Sequence, residues 1–328
     1  MTKSIFNIVI PSINIDKNLL FCLKKLNKLN YKNFFVTVIL DDDNFKLNKK
    51  NYNYKINIIY STNKNMSAKR NLAAKKFKST YLAFLDSDAY PNINWLNNAL
   101  SYFKKYDNIV LGGPNIPFPH QKQYISHLSK RSFFVNGHLA YRKYMSKKKF
   151  INDWLESCNF FISRDIYNEI KGMNENIYIG EDQDFFKRLK KIKKETKILF
   201  CPTLYVFHKE RIYSKLVLQR FSFGMDIFSG ISFANGIRGL MVALPLLILL
   251  SIIIFFLAFD FNIYTKLKFF SSFLLLINVF IAIDILKFSN SFTKNIFTLL
   301  SINFLNFIYS IAGLLTLLII KKSSQKKI

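Results

Sequence analysis

Beyond Gly239 the chain carries three long apolar blocks, at residues 240–259, 269–286 and 296–320. Each is long enough to cross about 30 Å of hydrocarbon. Before residue 207 the apolar runs are only strand-long, and they alternate with amphipathic stretches in a Lys- and Asn-rich background. A chain divided this way is expected to fold as a water-facing part followed by a membrane region. The expected divisions are 1–208 for the first part, 209–238 for an interfacial amphipathic helix and linker, 239–320 for about three transmembrane helices, and 321–328 for a basic tail.

The membrane part raises its own questions. Residues 212–231 mix Lys215 and Arg220 with Leu216, Leu218, Phe221 and Phe228, which suits either a helix lying at the bilayer surface or an amphipathic helix packed on a sheet. Three spans and a cytoplasmic first part would put Lys321, Lys322, Lys326 and Lys327 outside, against the positive-inside tendency. Either the second block, which contains Asn278 and Asp284, does not fully cross, or the large first part sets the orientation. Asp284 lies near a block end, within reach of headgroups, and no function is assigned to it.

In the first part, residues 6–10 form an apolar run ending at Pro11. Asp16 can cap the helix that follows, which carries Leu19, Leu23 and Leu26 at helical spacing. Residues 34–40 and 55–60 read as strands, and 67–77 as a helix with Ala68, Leu72 and Ala73 inward. Strand, helix, strand, strand, helix, strand predicts an α/β fold with a mostly parallel sheet and helices on its faces.

Residues 81–91, YLAFLDSDAYP, place Asp86 and Asp88 just past a run fit for a buried strand. Open α/β sheets bind ligands at that end, and two carboxylates at i and i+2 can share a hard divalent cation that holds a diphosphate. A bare D-x-D identifies little, because Asp41/Asp43 and Asp182/Asp184 repeat it. The first is set apart by a buried strand before it and an amphipathic helix after it, with Trp95, Leu96, Ala99, Leu100 and Phe103 on one face; the plain alternative is an acidic turn capping that helix.

Further on, LGGPNIPFP at 111–119 has too many glycines and prolines for a regular element, and is expected to run extended and let backbone approach a ligand. Residues 154–162 read as a strand in which Asn159 either satisfies backbone or points at a ligand. Glu181, Asp182 and Asp184 open a helix, where acids often serve only as caps. Two more strands, 196–200 and 203–207, deliver His208 to the end of the second.

The net charge of +28 comes mostly from dispersed Lys without a nucleic-acid motif, so lipid headgroups are the expected partner and nucleic acid is not. Lys143, Lys147, Lys148 and Lys149 are one candidate patch. Three widely spaced cysteines, Cys22, Cys158 and Cys201, suit a reducing compartment and argue against a disulfide framework or a zinc site. With an apolar run before Pro11 too short for a cleavable signal, the first part is expected in the cytoplasm at the inner or plasma membrane.

Taken in order, NIVIPSIN, VILDDDN, the N-x-N-x-S-x-x-R-N run from Asn63 to Asn71, YLAFLDSDAYP, GGPNIPFP, WLESCNFFISRDI and GEDQDFFKRL resemble the motifs of family 2 glycosyltransferases over roughly residues 4–225. That resemblance implies a GT-A fold, a nucleotide-sugar donor, a Mg or Mn ion and inversion at the anomeric carbon. It implies that Pro11 and Asp42 hold the base, that Arg70 contacts the nucleotide, and that Asp86 lies against ribose and metal. Asp88 would bind the metal directly with His208 as a further ligand, and Asp182 would be the catalytic base. Glu181, Asp184 and Asn159 would lie on the acceptor side.

Two departures stand out. Asn65 occupies a position where many relatives have glycine, and QRFSFG at 219–224 only partly resembles the Q-R-F-R-Y-G of membrane-bound relatives. The Q-x-x-R-W of processive synthases is absent. The expected activity is therefore a membrane-bound, non-processive transfer of sugar to a lipid-linked or cell-surface glycan acceptor. Polyprenyl phosphate as acceptor, and a non-catalytic nucleotide-sugar-binding subunit, are the alternatives.

Overall fold

Strands form where short apolar runs are sealed from water on both sides. Phe6–Pro11 (β1) is buried at all six positions, and its polar member Asn7 accepts a hydrogen bond from Thr37 Oγ1 at 2.8 Å. Helix α1, Lys17–Leu26, starts where Asp16 accepts from the N–H groups of Asn18 and Leu19, and it buries Leu19, Cys22, Leu23 and Leu26. The first unit continues with β2 (Phe34–Leu40), β3 (Lys55–Tyr60), α2 (Met66–Lys76), β4 (Tyr81–Leu85), β5 (Ala89–Pro91), α3 (Trp95–Lys105), β6 (Ile109–Gly112) and β7 (Asn115–Pro117). After α4 (Tyr124–Arg131) and α5 (Phe133–Asn136), which belong to the second unit, come β8 (Phe150–Ile151), β9 (Asn159–Ser163), α6 (Arg164–Glu169), α7 (Glu181–Ile192), β10 (Lys197–Phe200) and β11 (Val206–His208).

The computed structural model describes residues 5–42, 47–119, 124–136, 150–151, 153–178, 180–225 and 237–325. Its two units lie within Met1–Pro119 with Ser146–Lys209, and within His120–Met145 with Glu210–Ile328.

In the first unit, the main sheet has the order β3-β2-β1-β4-β9-β6-β10-β8. β9 runs antiparallel to β4 and β6, and β8 antiparallel to β10, while the remaining neighbours are parallel. Leu23, Trp95 and Leu96 of α1 and α3 pack on one face. Ala73 of α2 and Phe185, Phe186 and Leu189 of α7 pack on the other. This is the expected α/β architecture, since a parallel sheet needs cover on both faces.

Three local expectations are corrected. The 111–119 stretch holds the end of β6 and all of β7. Its close backbone approach is to other backbone: a Cβ on Gly113 would lie 2.3 Å from the Leu204 carbonyl oxygen. The strand expected over 154–162 begins only at Asn159, after a turn. The one expected over 203–207 is split into a 3-10 turn, Pro202–Leu204, and β11. Asn65 needs no glycine-like backbone, because at φ −65° its side chain caps α2 by accepting from Ser67 and Ala68 N–H.

The second unit contains α4 and α5 together with α8 (Tyr213–Met225), α9 (Ile237–Ala258), α10 (Ile263–Leu286) and α11 (Phe292–Gln325). Residues 1–208 are thus not one contiguous domain. Asp284 accepts from Ser132 Oγ and from Phe133 N–H, both at 2.8 Å, and Ser129 bonds Ser301 at 2.8 Å. These bonds tie α4 and α5 to α10 and α11. Within the described residues, 263–286 and 292–319 are long and apolar enough to cross a membrane by length and composition, while the first block supplies a shorter apolar helix, Leu244–Ala258. The Lys143, Lys147, Lys148 and Lys149 patch lies outside the described residues, as does Phe228.

Helix α8 packs along α11, with Gly224 pressed so close that a Cβ there would meet the Tyr309 carbonyl oxygen at 2.3 Å. Arg220, on the helix read as lying at a bilayer surface or packed as an amphipathic helix, is buried. It donates to the Val135 carbonyl at 2.9 Å and to Asn306 Oδ1 at 3.4 Å, and lies 4.5 Å from the Tyr309 ring centre. Burial pushes its guanidinium down to about 10.

The Gly113 crossing lies against the backbone that leads into β11 and His208. Gly113→Ala is expected to cost about 1–3 kcal/mol, since a carbonyl oxygen cannot step aside as a flexible side chain would. Thermal unfolding in detergent measures it; an unchanged midpoint would show that the crossing relaxes freely.

Candidate active site

β1, β2 and β4 are parallel neighbours that finish at one edge of the sheet, so Pro11, Asp41 with Asp42, and Asp86 all emerge there. A turn closed by Ala89 N–H on the Asp86 carbonyl carries the chain from β4 into β5. β5 then pairs antiparallel with β11, placing Ala89 opposite His208, and Lys209 N–H donates to the Asp88 carbonyl at 3.0 Å. β7 pairs with the other side of β11. This second sheet brings His208 to the two aspartates across more than a hundred residues of chain.

His208 Nε2 lies 3.4 Å from Asp88 Oδ1 and 3.9 Å from Asp86 Oδ2. Its Nδ1 is 3.0 Å from the Lys209 carbonyl oxygen, which can only accept, so Nδ1 carries a hydrogen. With Nδ1–H so committed, Nε2 is the nitrogen turned to the carboxylates: protonated, it donates to them, and deprotonated, it presents a lone pair to a metal. Among the described residues, Asp86, Cys158 and His208 offer one ligand atom each within 4.8 Å of one another. A cation with bonds of about 2.1 Å separates its donors by about 3 to 4 Å, so a small closure fits them around a divalent ion.

Arg70 holds this group from beneath. It is almost wholly buried, pairs with Asp86 Oδ1 at 3.0 Å and reaches Glu181 Oε1 at 3.5 Å. Glu181 also accepts from Ser157 Oγ at 3.1 Å. Burial alone would raise the Asp86 carboxyl, but His208 and Arg70 outweigh it and hold it below the usual carboxylate range. Its stabilising contribution is therefore present above the ordinary carboxylate pKa and is lost as pH falls through the lowered value.

The other candidates fall in different places. Asn159 is buried and takes the first of its two readings, satisfying backbone. Its amide donates to the carbonyls of Gly113, Pro114 and Leu204, and its oxygen accepts from Trp95 Nε1 at 3.1 Å. Asp184 pairs with Arg188 at 2.8 Å one turn along α7, and Arg188 also donates to the Ile170 and Gly172 carbonyls. Asp182 lies in the first turn of α7, half-buried and next to Glu181, and accepts from Gln183 N–H. Pro11 is buried and Asp42 exposed at the ends of their strands, whereas Asp43 lies outside the described residues.

Two residues were missed. Lys69 is fully buried, donates to the Ser12 carbonyl at 2.7 Å and forms an ion pair with Asp41, tying together the ends of β1 and β2. The only signal for it was a cation beside Arg70 on an otherwise inward helix. Cys158, read for a reducing compartment and against a disulfide or zinc site, accepts from Asn115 Nδ2 at 3.0 Å, and the same nitrogen donates to Glu156. Its signal was a thiol directly before the first residue of a buried strand.

The family model described as glycosyl transferase family 2 matches residues 7–171, just over half of the chain. The chain belongs to that family. No curated protein sequence matches it. Solved structures similar to it include S. aureus TarS 1-349 in complex with UDP-GlcNAc, at 16% identity and TM-score 0.47, covering 67% of this chain and 66% of that one. GalNAc-T7 with UDP, GalNAc and Mn2+ is similar at 15% identity and TM-score 0.48, covering 64% and 45%. Of the longer S. aureus TarS chain, this one spans 39%. Likeness at this level reaches no further than the fold.

In this family member, removal of Arg70 should be felt at both acids. Arg70→Met is expected to cost about 2–3 kcal/mol, below a fully buried pair because a third of Asp86 faces solvent. The Asp86 carboxyl should also rise toward its ordinary range, so the acid-side loss of stability shrinks. Unfolding measured across pH checks both, and Arg70→Lys should not restore a contact to two carboxylates.

Proposed function

We propose that this family 2 member is a membrane-bound inverting glycosyltransferase. It moves a sugar from a nucleoside-diphosphate donor to a lipid-linked or cell-surface glycan acceptor, at the cytoplasmic face of the inner or plasma membrane. The observation that carries the reading is the convergence of Asp86, Asp88 and His208 beside a buried arginine at the C-terminal edge of parallel strands. The two long apolar helices in the same chain support an acceptor presented at a bilayer.

The base sits against Pro11 and Asp42, where the Asp42 carboxylate accepts from a base N–H. Lys69 keeps the two strand ends together behind it. Asp86, fixed by Arg70, faces the ribose, and Asp88 and His208, with Asp86, would hold a Mg or Mn ion. When bound, that cation offsets charge on the departing diphosphate. Arg70 adds a buried positive charge on the same side. Asp182 removes the proton of the acceptor hydroxyl as its oxygen attacks C1 from the face opposite the diphosphate. Glu181, held by Arg70 and Ser157, sets the start of α7 and with it the position of Asp182.

The purified protein in detergent should hydrolyse or transfer from a nucleotide sugar with Mn, and chelation should stop it. Asp182→Asn should lower kcat by about 10²- to 10⁴-fold with donor binding retained, as expected for loss of a general base. Asp88→Ala should weaken donor binding itself. Full turnover in either variant would overturn the assigned roles.

A further inference from the structure

We propose that the Cys158 thiol is a ligand of the same centre, so that it takes a thiophilic divalent ion such as Zn2+ or Cd2+ through sulfur, imidazole and carboxylate together. The proposal extends the reading of Asp86, Asp88 and His208 as the metal side of a transferase, and it does not require that transfer occurs.

The geometry comes from three separate elements. Asp86 follows β4, His208 ends β11, and Cys158 directly precedes β9, which pairs with β4 so that Leu85 faces Asn159. That register sets the residue after Leu85 and the residue before Asn159 side by side. The three ligand atoms consequently lie within 4.8 Å of one another. Asn115 Nδ2 donates to Cys158 Sγ at 3.0 Å, a contact that orients the sulfur as an acceptor and stabilises negative charge on it. His208 has its Nδ1 hydrogen committed to the Lys209 carbonyl and its Nε2 turned to the acids.

Oxygen-only sites suit Mg, whereas a set of thiolate, imidazole and carboxylate belongs to Zn and its soft congeners. Coordination exchanges the S–H bond for an S–metal bond and releases the proton to solvent, so no oxidant or reductant is needed. The remaining cysteines cannot substitute. Cys22 and Cys201 are fully buried in the core, and burial, with Asp88 and Asp86 adding to it, pushes the Cys22 thiol up.

The test is a Cd2+ titration of the full-length protein in detergent, followed by the ultraviolet charge-transfer band of a cadmium–thiolate bond and by calorimetry. Wild type should show the band. Cys158→Ser should lose it and bind Cd2+ roughly tenfold or more weakly. His208→Ala, which keeps every cysteine, should also weaken Cd2+ binding by about tenfold or more. If Cys158→Ser does not fold, as judged by thermal unfolding, Cys158→Ala and His208→Ala carry the test. No band in wild type, a band surviving in the Cys158 variant, or wild-type affinity in His208→Ala would each overturn the proposal. A cadmium–thiolate band in a protein that transfers no sugar with Mn would instead leave this proposal standing and refute the transferase reading.

Discussion

A single buried guanidinium sets the charge balance on which the candidate site depends. Arg70 reaches Asp86 from one end of its fork and Glu181 from the other, and hardly any of it touches water. Without it, carboxylates from β4 and α7 would meet across a poorly solvated gap, with like charges raising one another. With it, Asp86 stays ionised and the first turn of α7 is drawn toward the end of β4. Asp182, the neighbour of Glu181, inherits its position from that contact. Lys69, one residue earlier on α2, does the same for Asp41 and the end of β1. One helix thus supplies the positive charge for both halves of the edge, which explains why α2 buries two cations and has little apolar asymmetry.

The second requirement is the small sheet β5-β11-β7. Nothing in the main sheet brings residue 208 to residues 86 and 88. Three-residue strands bind weakly by themselves, so this sheet needs support. Asn159 provides it, with its amide shared among the carbonyls of Gly113, Pro114 and Leu204, the backbone leading into β7 and β11. Asn159 thus acts as a strut for the element that carries His208.

Long buried strands and capped helices were legible in the sequence, because local chemistry decides them. Asp16 announced α1, and the apolar runs at residues 6, 34, 55 and 81 announced the parallel core with Asp86 and Asp88 at its edge. Among the short strands, β5 and β7 were not legible. β5 and β7 contain Pro91 and Pro117, respectively, and exist only because β11 pairs with them. Lys69 was invisible for a related reason: its partners, Asp41 and the Ser12 carbonyl, lie 28 and 57 residues away, and nothing local distinguishes a buried lysine from the many exposed ones. The grouping of α4 and α5 with the C-terminal helices was not legible either, since their polar contacts to Asp284 and Ser301 are equally non-local.

Cys158 shows how register can assemble chemistry that spacing conceals. Alone it is one of three scattered thiols, odd in number and without a C-x-x-C partner, which spoke against a zinc site. The antiparallel pairing of β9 with β4 fixes Asn159 against Leu85, and once that pair is set, the next residue outward on each strand must share the same edge. One of these is Asp86 and the other is Cys158. His208 arrives from β11 by an independent pairing with β5. Two registers, each held by backbone hydrogen bonds, therefore determine which side chains meet. A shift of one residue in either would turn the donors to opposite faces and dissolve the cluster.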